Sequence, residues 1–201
     1  IIGLQAEAGS VMVLPLLATQ ILWINLVTDA GPALAMGVDP VAGDMMTHQP
    51  RRRGARMIDA RMWVGIVSTG VVMALLTLLT IDLFLPGGLI EGHESLALAR
   101  TAGFTVLVLA QLFNCFNSRS ETGSAFRGLF ANRWLWATVV LSAILQVAVV
   151  HVAFLNLAFG TVPLSATQWL VCLAMASGVL WFSELRKWGQ RWKHDPQPAP
   201  A

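Results

Sequence analysis

Ile21-Leu22-Trp23-Ile24-Asn25-Leu26-Val27-Thr28-Asp29-Ala30-Gly31-Pro32-Ala33 lies inside the apolar run 11–38, and its polar residues fall where hydrocarbon should surround them. An acid near mid-membrane costs roughly 2.5–3.5 kcal/mol on insertion scales, so Asp29 needs something to offset that cost. Asn25 and Asp29 are four residues apart and Asn25 and Thr28 three apart, which puts three side-chain oxygens on one helix face. Pro32 has no N–H, so the carbonyl of Thr28 loses its usual partner four residues on. The proline ring also pushes Gly31 away from helical geometry. Unwound backbone at this depth is tolerated only where it lines a cavity or is buried in protein. A carboxylate, an amide oxygen, a hydroxyl and free carbonyls in one place form a hard-oxygen cage of the kind that holds calcium, magnesium or sodium. The alternative is a kinked helix in which Asp29 is merely protonated or hydrogen-bonded.

The rest of the chain sets this segment in a membrane. Only 12% of its 201 residues are charged, about half the share of a soluble domain. Apolar runs near the ~20 residues that a spanning helix needs fall at 11–38, 62–85, 97–117, 134–155 and 167–188. The expected fold is an all-α membrane protein, a bundle of about five transmembrane helices, the first kinked or unwound between Asp29 and Pro32. Residues 1–10 read as the end of a preceding helix and an extracytoplasmic turn, 11–188 as the membrane domain, and 189–201 as a cytoplasmic tail. With no initiator Met and no secretory signal, the chain reads as a fragment or a truncated reading frame. A net charge of +2 gives no reason to expect nucleic acid as a partner. Cys115 and Cys172 both fall in apolar runs and read as small reduced core residues.

Basic residues fix the expected orientation. Arg51, Arg52, Arg53, Arg56 and Arg61 lie in the first connection, Arg119, Arg127 and Arg133 in the third, and Arg186, Lys187, Arg191 and Lys193 count with the tail. The second connection has Glu91, His93 and Glu94 but no basic residue, and the fourth has no charge. Basic loops stay cytoplasmic, so the C-terminus is expected in the cytoplasm. Arg100 alone sits towards the other side.

Other polar residues divide by position. Gln111 and Asn114 share a face of the third helix, where they could add neutral oxygens to a cation cage or simply bond a neighbouring helix. Asp82 and Glu184 sit near helix ends within reach of water. Gln146 and His151 read as satisfied packing groups, and His48, His93 and His194 have no metal-ligand spacing. The arginines at 51–53 are first a topology signal and second a possible headgroup or docking patch.

The segment from Gln20 to Asp29, with Pro32-Ala33 and Gly37-Val38-Asp39-Pro40, resembles the sixth transmembrane helix of type II P-type ATPases, the sarcoplasmic-reticulum-type calcium pumps and their bacterial relatives. Asp44-Met45-Met46 with Pro50-Arg51 is similar to the loop that follows. Gln111-Leu112-Phe113-Asn114 with Asn117-Ser118 and Glu121 resembles the eighth helix, and Thr167-Gln168-Trp169-Leu170 with Glu184-Leu185 resembles the tenth. The resemblance implies that Asn25, Thr28 and Asp29 are calcium ligands, with Gln111 and Asn114 auxiliary. Asn25 stands where sodium/potassium pumps carry an acid, which favours the calcium branch. Gln111 stands where two-site pumps usually carry Glu, which implies one ion per cycle.

The implied function is the membrane part of an ATP-driven cation pump, with calcium as the transported ion, in a bacterial plasma membrane. Mg-ATP would act only through catalytic domains that this chain lacks. No Asp here is followed by Lys, and the lysines are Lys187 and Lys193, so the family's phosphorylation motif is absent and no ATPase activity is expected from this chain alone. Expected partners are the cation, membrane lipid and the missing N-terminal catalytic half. The competing expectations are a stand-alone truncated membrane protein without transport activity and a small secondary cation carrier or channel.

Overall fold

The computed structural model describes residues 15–38, 60–85, 95–118 and 132–192. Every regular element among them is helical: α1 (Ala18–Ile24), a π-helical turn (Asn25–Ala30), α2 (Gly31–Gly37), α3 (Ala60–Phe84), α4 (Leu96–Ser118), α5 (Arg133–His151), α6 (Ala153–Phe159) and α7 (Ala166–Trp192). Four stretches, Met62–Phe84, Leu96–Ser118, Arg133–His151 and Ala166–Gly189, are long and apolar enough to cross a membrane. With the broken helix α1–π–α2 as a further element, this is an all-α membrane bundle.

Local chemistry starts these helices where they start. Ser95 Oγ accepts the Leu98 N–H at the head of α4. Ser165 and Gln168 form a reciprocal capping box at the head of α7, each side chain accepting the other's N–H. Asn132 caps α5 through Oδ1, which accepts from Leu135 N at 3.0 Å. Its Nδ2 donates to Ala35 O at 2.8 Å, so one side chain opens α5 and satisfies a late carbonyl of α2.

α3, α4 and α7 form one tightly packed block. In lipid, helices gain little by hiding apolar surface from one another, and close approach of small residues supplies the attraction instead. Ala99, Ala102 and Ala110 of α4 are fully buried there, against Met73, Ile81 and Phe84 of α3 and Cys172, Ala176 and Val179 of α7. A Cβ at Gly103 would stand 2.4 Å from Ile81 Cγ1, so this contact distance exists only because residue 103 is glycine. Neither cysteine is in a disulfide, and both are buried.

α5 runs antiparallel to the broken helix along a polar seam. Trp23 Nε1 donates to Gln146 Oε1 at 3.2 Å and Ser142 Oγ donates to Val27 O at 2.9 Å. Gly31 faces Thr138, whose Cβ would lie 3.4 Å from an added methyl, and Ala35 takes the Asn132 amide. On the broken helix these partners recur every fourth residue, which is one helix face. Beyond Trp23, Gln20 is fully buried: Oε1 accepts the Leu17 N–H and Nε2 donates to Phe159 O.

Helix boundaries depart from the sequence reading in places. The helix expected over 134–155 breaks at Val152, whose φ of −84° and ψ of 119° are extended, and α6 follows. Thr161 Oγ1 donates to Val149 O at 2.7 Å, supplying a partner for one of the last carbonyls of α5. α6 ends on Gly160 at φ 61°, where a Cβ would also meet Leu17 Cδ1 at 2.7 Å. The last helix, expected to end at 188, runs to Trp192. The expected helix end and turn at 1–10, the Arg51–Arg53 patch, Glu91, His93, Glu94 and the stretch 193–201 lie outside the described residues.

Gly103→Val should force α3 off α4 at a cost of about 1–3 kcal/mol, the usual penalty for overpacking. Gly70→Ala, with nothing within 4 Å of its added methyl, should hold stability or raise it by up to about 0.5–1 kcal/mol, the cost of a glycine inside a helix. Thermal unfolding of both variants in detergent separates the two, and equal melting points would contradict the packing argument.

Candidate cation site at the broken helix

The break takes a different form from the one the sequence suggests. Residues 25–30 are π-helical, and Gly31 stays helical at φ −65°, ψ −57°. Glycine has no Cβ to meet the proline ring, so the usual restriction before proline is relaxed. In a π turn each carbonyl pairs with the N–H five residues on. The carbonyl that Pro32 leaves without a backbone donor is then Val27's, where an α-helical register would have left Thr28's. Ser142 supplies the donor that Val27 lacks. The backbone is widened and re-satisfied, not unwound.

Thr28 sits inside that turn, 3% exposed. Its Oγ1 lies 2.6 Å from Ile24 O and 2.6 Å from Gln111 Oε1. A hydroxyl has one proton, so Thr28 shares it between the two acceptors. The structure thus brings together two of the residues singled out from the sequence, 83 positions apart. Gln111 is half-buried, as is Asn114 one turn further along α4. Asn25 is exposed and does not share Thr28's buried environment, so the widened turn separates two side chains expected on one face. Asp29 belongs to the π turn, but its side chain lies outside the described residues.

α4 carries Gln111 to this point because its second apolar stripe packs on the broken helix. Phe104, Val108 and Leu112 cluster with Ile24, and with Val149 of α5. Gln111 rides beside that stripe, facing the turn. Among the described residues no three His, Cys, Asp or Glu side chains converge. The donors brought together here are neutral oxygens, which suit a hard cation and not a soft one.

Several polar residues were not read as part of this region. Gln146, taken as a lone packing group, joins Trp23 to Thr105: it accepts from Trp23 Nε1 and donates to Thr105 Oγ1 at 3.3 Å. The sequence reading gives Asn132, Ser142 and Gln20 no individual role. The signal was the spacing of Asn132, Thr138, Ser142 and Gln146, polar residues recurring along one face of an apolar helix. His151 accepts from Trp169 Nε1 at 3.1 Å. Lys187, counted with the tail, is 1% exposed; its Nζ donates to Asn117 O at 3.1 Å and lies 3.8 Å from Glu184 Oε1. A cation at the C-terminus of α4 is favoured by the carbonyls gathered there. Glu184 reaches this lysine from one turn away on α7, not open water alone.

Most of the chain is similar in sequence to known proteins. The family model described as "Cation transporting ATPase, C-terminus" matches residues 13–189. The chain is 35% identical over 164 residues to a calcium-transporting ATPase of Bacillus subtilis, covering 82% of this chain and 18% of that protein. It is 34% identical over 180 residues to calcium-transporting ATPase 1 of Schizosaccharomyces pombe, covering 89% and 20%. It is also 34% identical over 171 residues to the probable cation-transporting ATPase F of Mycobacterium tuberculosis, covering 83% and 18%. The chain therefore spans about a fifth of the length of these relatives.

If the Thr28–Gln111 contact ties the π turn to α4, Thr28→Val and Gln111→Leu should not add. A double-mutant cycle of unfolding in mixed micelles should give a coupling of about 0.6 kcal/mol, and at most ~1.7, the measured range for such bonds in membranes. Strict additivity would mean that the contact contributes nothing.

Proposed function

This chain belongs to the cation-transporting ATPases, as their C-terminal membrane region, and from that premise we propose that it supplies one wall of the intramembrane ion site of an ATP-driven calcium export pump. Asn25, Thr28 and Asp29 on the broken helix coordinate the ion, and Gln111 and Asn114 of α4 assist. The observation that carries this reading is the meeting of Thr28 with Gln111 at the π turn. Their hydrogen bond, 2.6 Å from oxygen to oxygen, gathers two neutral oxygens at one point; neighbouring oxygens on a calcium held at about 2.3–2.6 Å stand about 3 Å apart, so the pair parts slightly and gives up this bond when the ion enters. Calcium is named because two of the relatives carry it in their names.

The division of labour follows from what this chain has. Phosphorylation by Mg-ATP belongs to the catalytic part of the pump, and this region responds by changing the oxygen cage between inward-facing and outward-facing forms. The connection at 39–61 meets the phosphorylation domain, and the basic ends of the helices, with the C-terminus, face the cytoplasm of a bacterial plasma membrane. Gln111 contributes a neutral amide, which keeps the site's charge low and sets the stoichiometry at one ion per cycle.

In the complete pump, Asp29→Asn should abolish calcium-dependent phosphorylation by ATP, read as acid-stable incorporation of labelled phosphate. Normal phosphorylation in that variant would remove Asp29 from the ligands and with it the centre of this proposal. Radioactive calcium binding to the same pump should saturate at one ion per phosphorylation site; two would overturn the role given to Gln111.

A further inference from the structure

A serine inside a helix usually returns its proton to a carbonyl three or four residues back in its own helix. Ser142, buried in the middle of α5, donates instead to Val27 O on the broken helix. Val27 is the one residue of the π turn whose partner five positions on is Pro32, which has no N–H. The single proton of Ser142 is thus spent on the single carbonyl that the proline strands.

We propose that Ser142 is a positioning residue for the ion site: it supplies the hydrogen bond that Pro32 cannot, and so selects the π register that seats Thr28 against Gln111. The inference rests on reading that contact as part of the ion site. Two registers compete at the break. In the π register the Gly31 N–H points to Leu26 O, and Val27 O needs an outside donor. In the α register the Gly31 N–H falls back on Val27 O, and the carbonyl of Thr28 is left open instead. An open carbonyl in a low-dielectric interior is costly, so whichever carbonyl is offered a donor from outside decides the register. α5 makes that offer to Val27.

The neighbouring contacts fix the offer in place. Trp23 on Gln146 lies one turn to one side, and Gly31 against Thr138 one turn to the other. Asn132, bonded to Ala35 O, ends the seam. These hold α5 at one axial setting, so Ser142 cannot slide to a different carbonyl. Thr28 then follows the register of its own turn, since each change of one residue rotates the following side chains by about a quarter of a turn or more.

Val27–Thr28 is the one Val–Thr dipeptide in the sequence, which makes a clean test available. The 201-residue chain, labelled with carbonyl-13C valine and 15N threonine in lipid nanodiscs, should give one carbonyl–amide correlation, from Val27. Ser142→Ala should shift that carbonyl upfield, as loss of a hydrogen bond does, and Ser142→Thr, which keeps the hydroxyl, should leave it in place. In the complete pump, Ser142→Ala should raise the calcium concentration for half-maximal phosphorylation about three- to tenfold, the equivalent of one interhelical hydrogen bond. The maximal phosphorylation level should stay unchanged, and Ser142→Thr should restore the wild-type concentration. An unmoved carbonyl in Ser142→Ala overturns the proposal outright. A moved carbonyl with unaltered calcium dependence overturns the positioning role while leaving the ion site standing. Normal phosphorylation in Asp29→Asn together with a moved carbonyl would sink the ion-site reading and keep the clamp.

Discussion

A backbone carbonyl inside hydrocarbon has no water to turn to, and every one left without a donor must be answered by the protein. Pro32 creates that debt at Val27, and much of the first half of the bundle is arranged around settling it. α5 brings a hydroxyl to Val27 O and an amide to Ala35 O, while the α6 end receives an amide from Gln20. Each of these bonds is weak alone, about 0.6 kcal/mol in measured membrane cases. Their value lies in register: donors spaced along one helix meet acceptors spaced along another, and only one axial setting satisfies them all.

The other half of the bundle is held by different physics. α3, α4 and α7 meet through alanines, a glycine and a buried cysteine, with few polar partners to fix their depth. Close approach does the work there, and Lys187 fastens the end of α4 to α7 through Asn117 O. α4 belongs to both halves. Its small residues face α3 and α7, and the stripe of Phe104, Val108 and Leu112 faces the broken helix. Gln111 is therefore delivered to Thr28 by a helix whose opposite side is clamped, the most enclosed of the four long helices described.

Much of this was legible in the residues. Apolar runs located the spans, Pro32 located the break, and Thr28 with Gln111 were both singled out as oxygen donors. What the residues did not disclose were choices settled by distant partners. Whether Pro32 unwinds the helix or widens it depends on a donor from Ser142, 115 positions away. Gly31 stayed helical because the clash expected before proline needs a Cβ. Val152 breaks α5 with neither glycine nor proline at the break, because Thr161 takes up a carbonyl from beyond the turn. Lys187 resembled a tail residue by sequence position alone, since nothing local announces that the end of α4 lies beside it.

The exposure pattern at the break carries one more consequence for the proposed site. Thr28 is enclosed and Gln111 half so, whereas Asn25, with Leu22 and Leu26 beside it, is open. Calcium takes six to eight oxygens, and neutral oxygens with a single carboxylate on this chain would leave a divalent ion under-coordinated and its charge unbalanced. The missing ligands must approach from the side on which Asn25 is uncovered, because α4 and α5 already occupy the other. On the proposed reading that side belongs to membrane helices in the four-fifths of the pump that this chain does not span. The wide turn then has a further role: it directs Thr28 inward to α4 and Asn25 outward to those helices, so a single break can hold both sides of an ion site together.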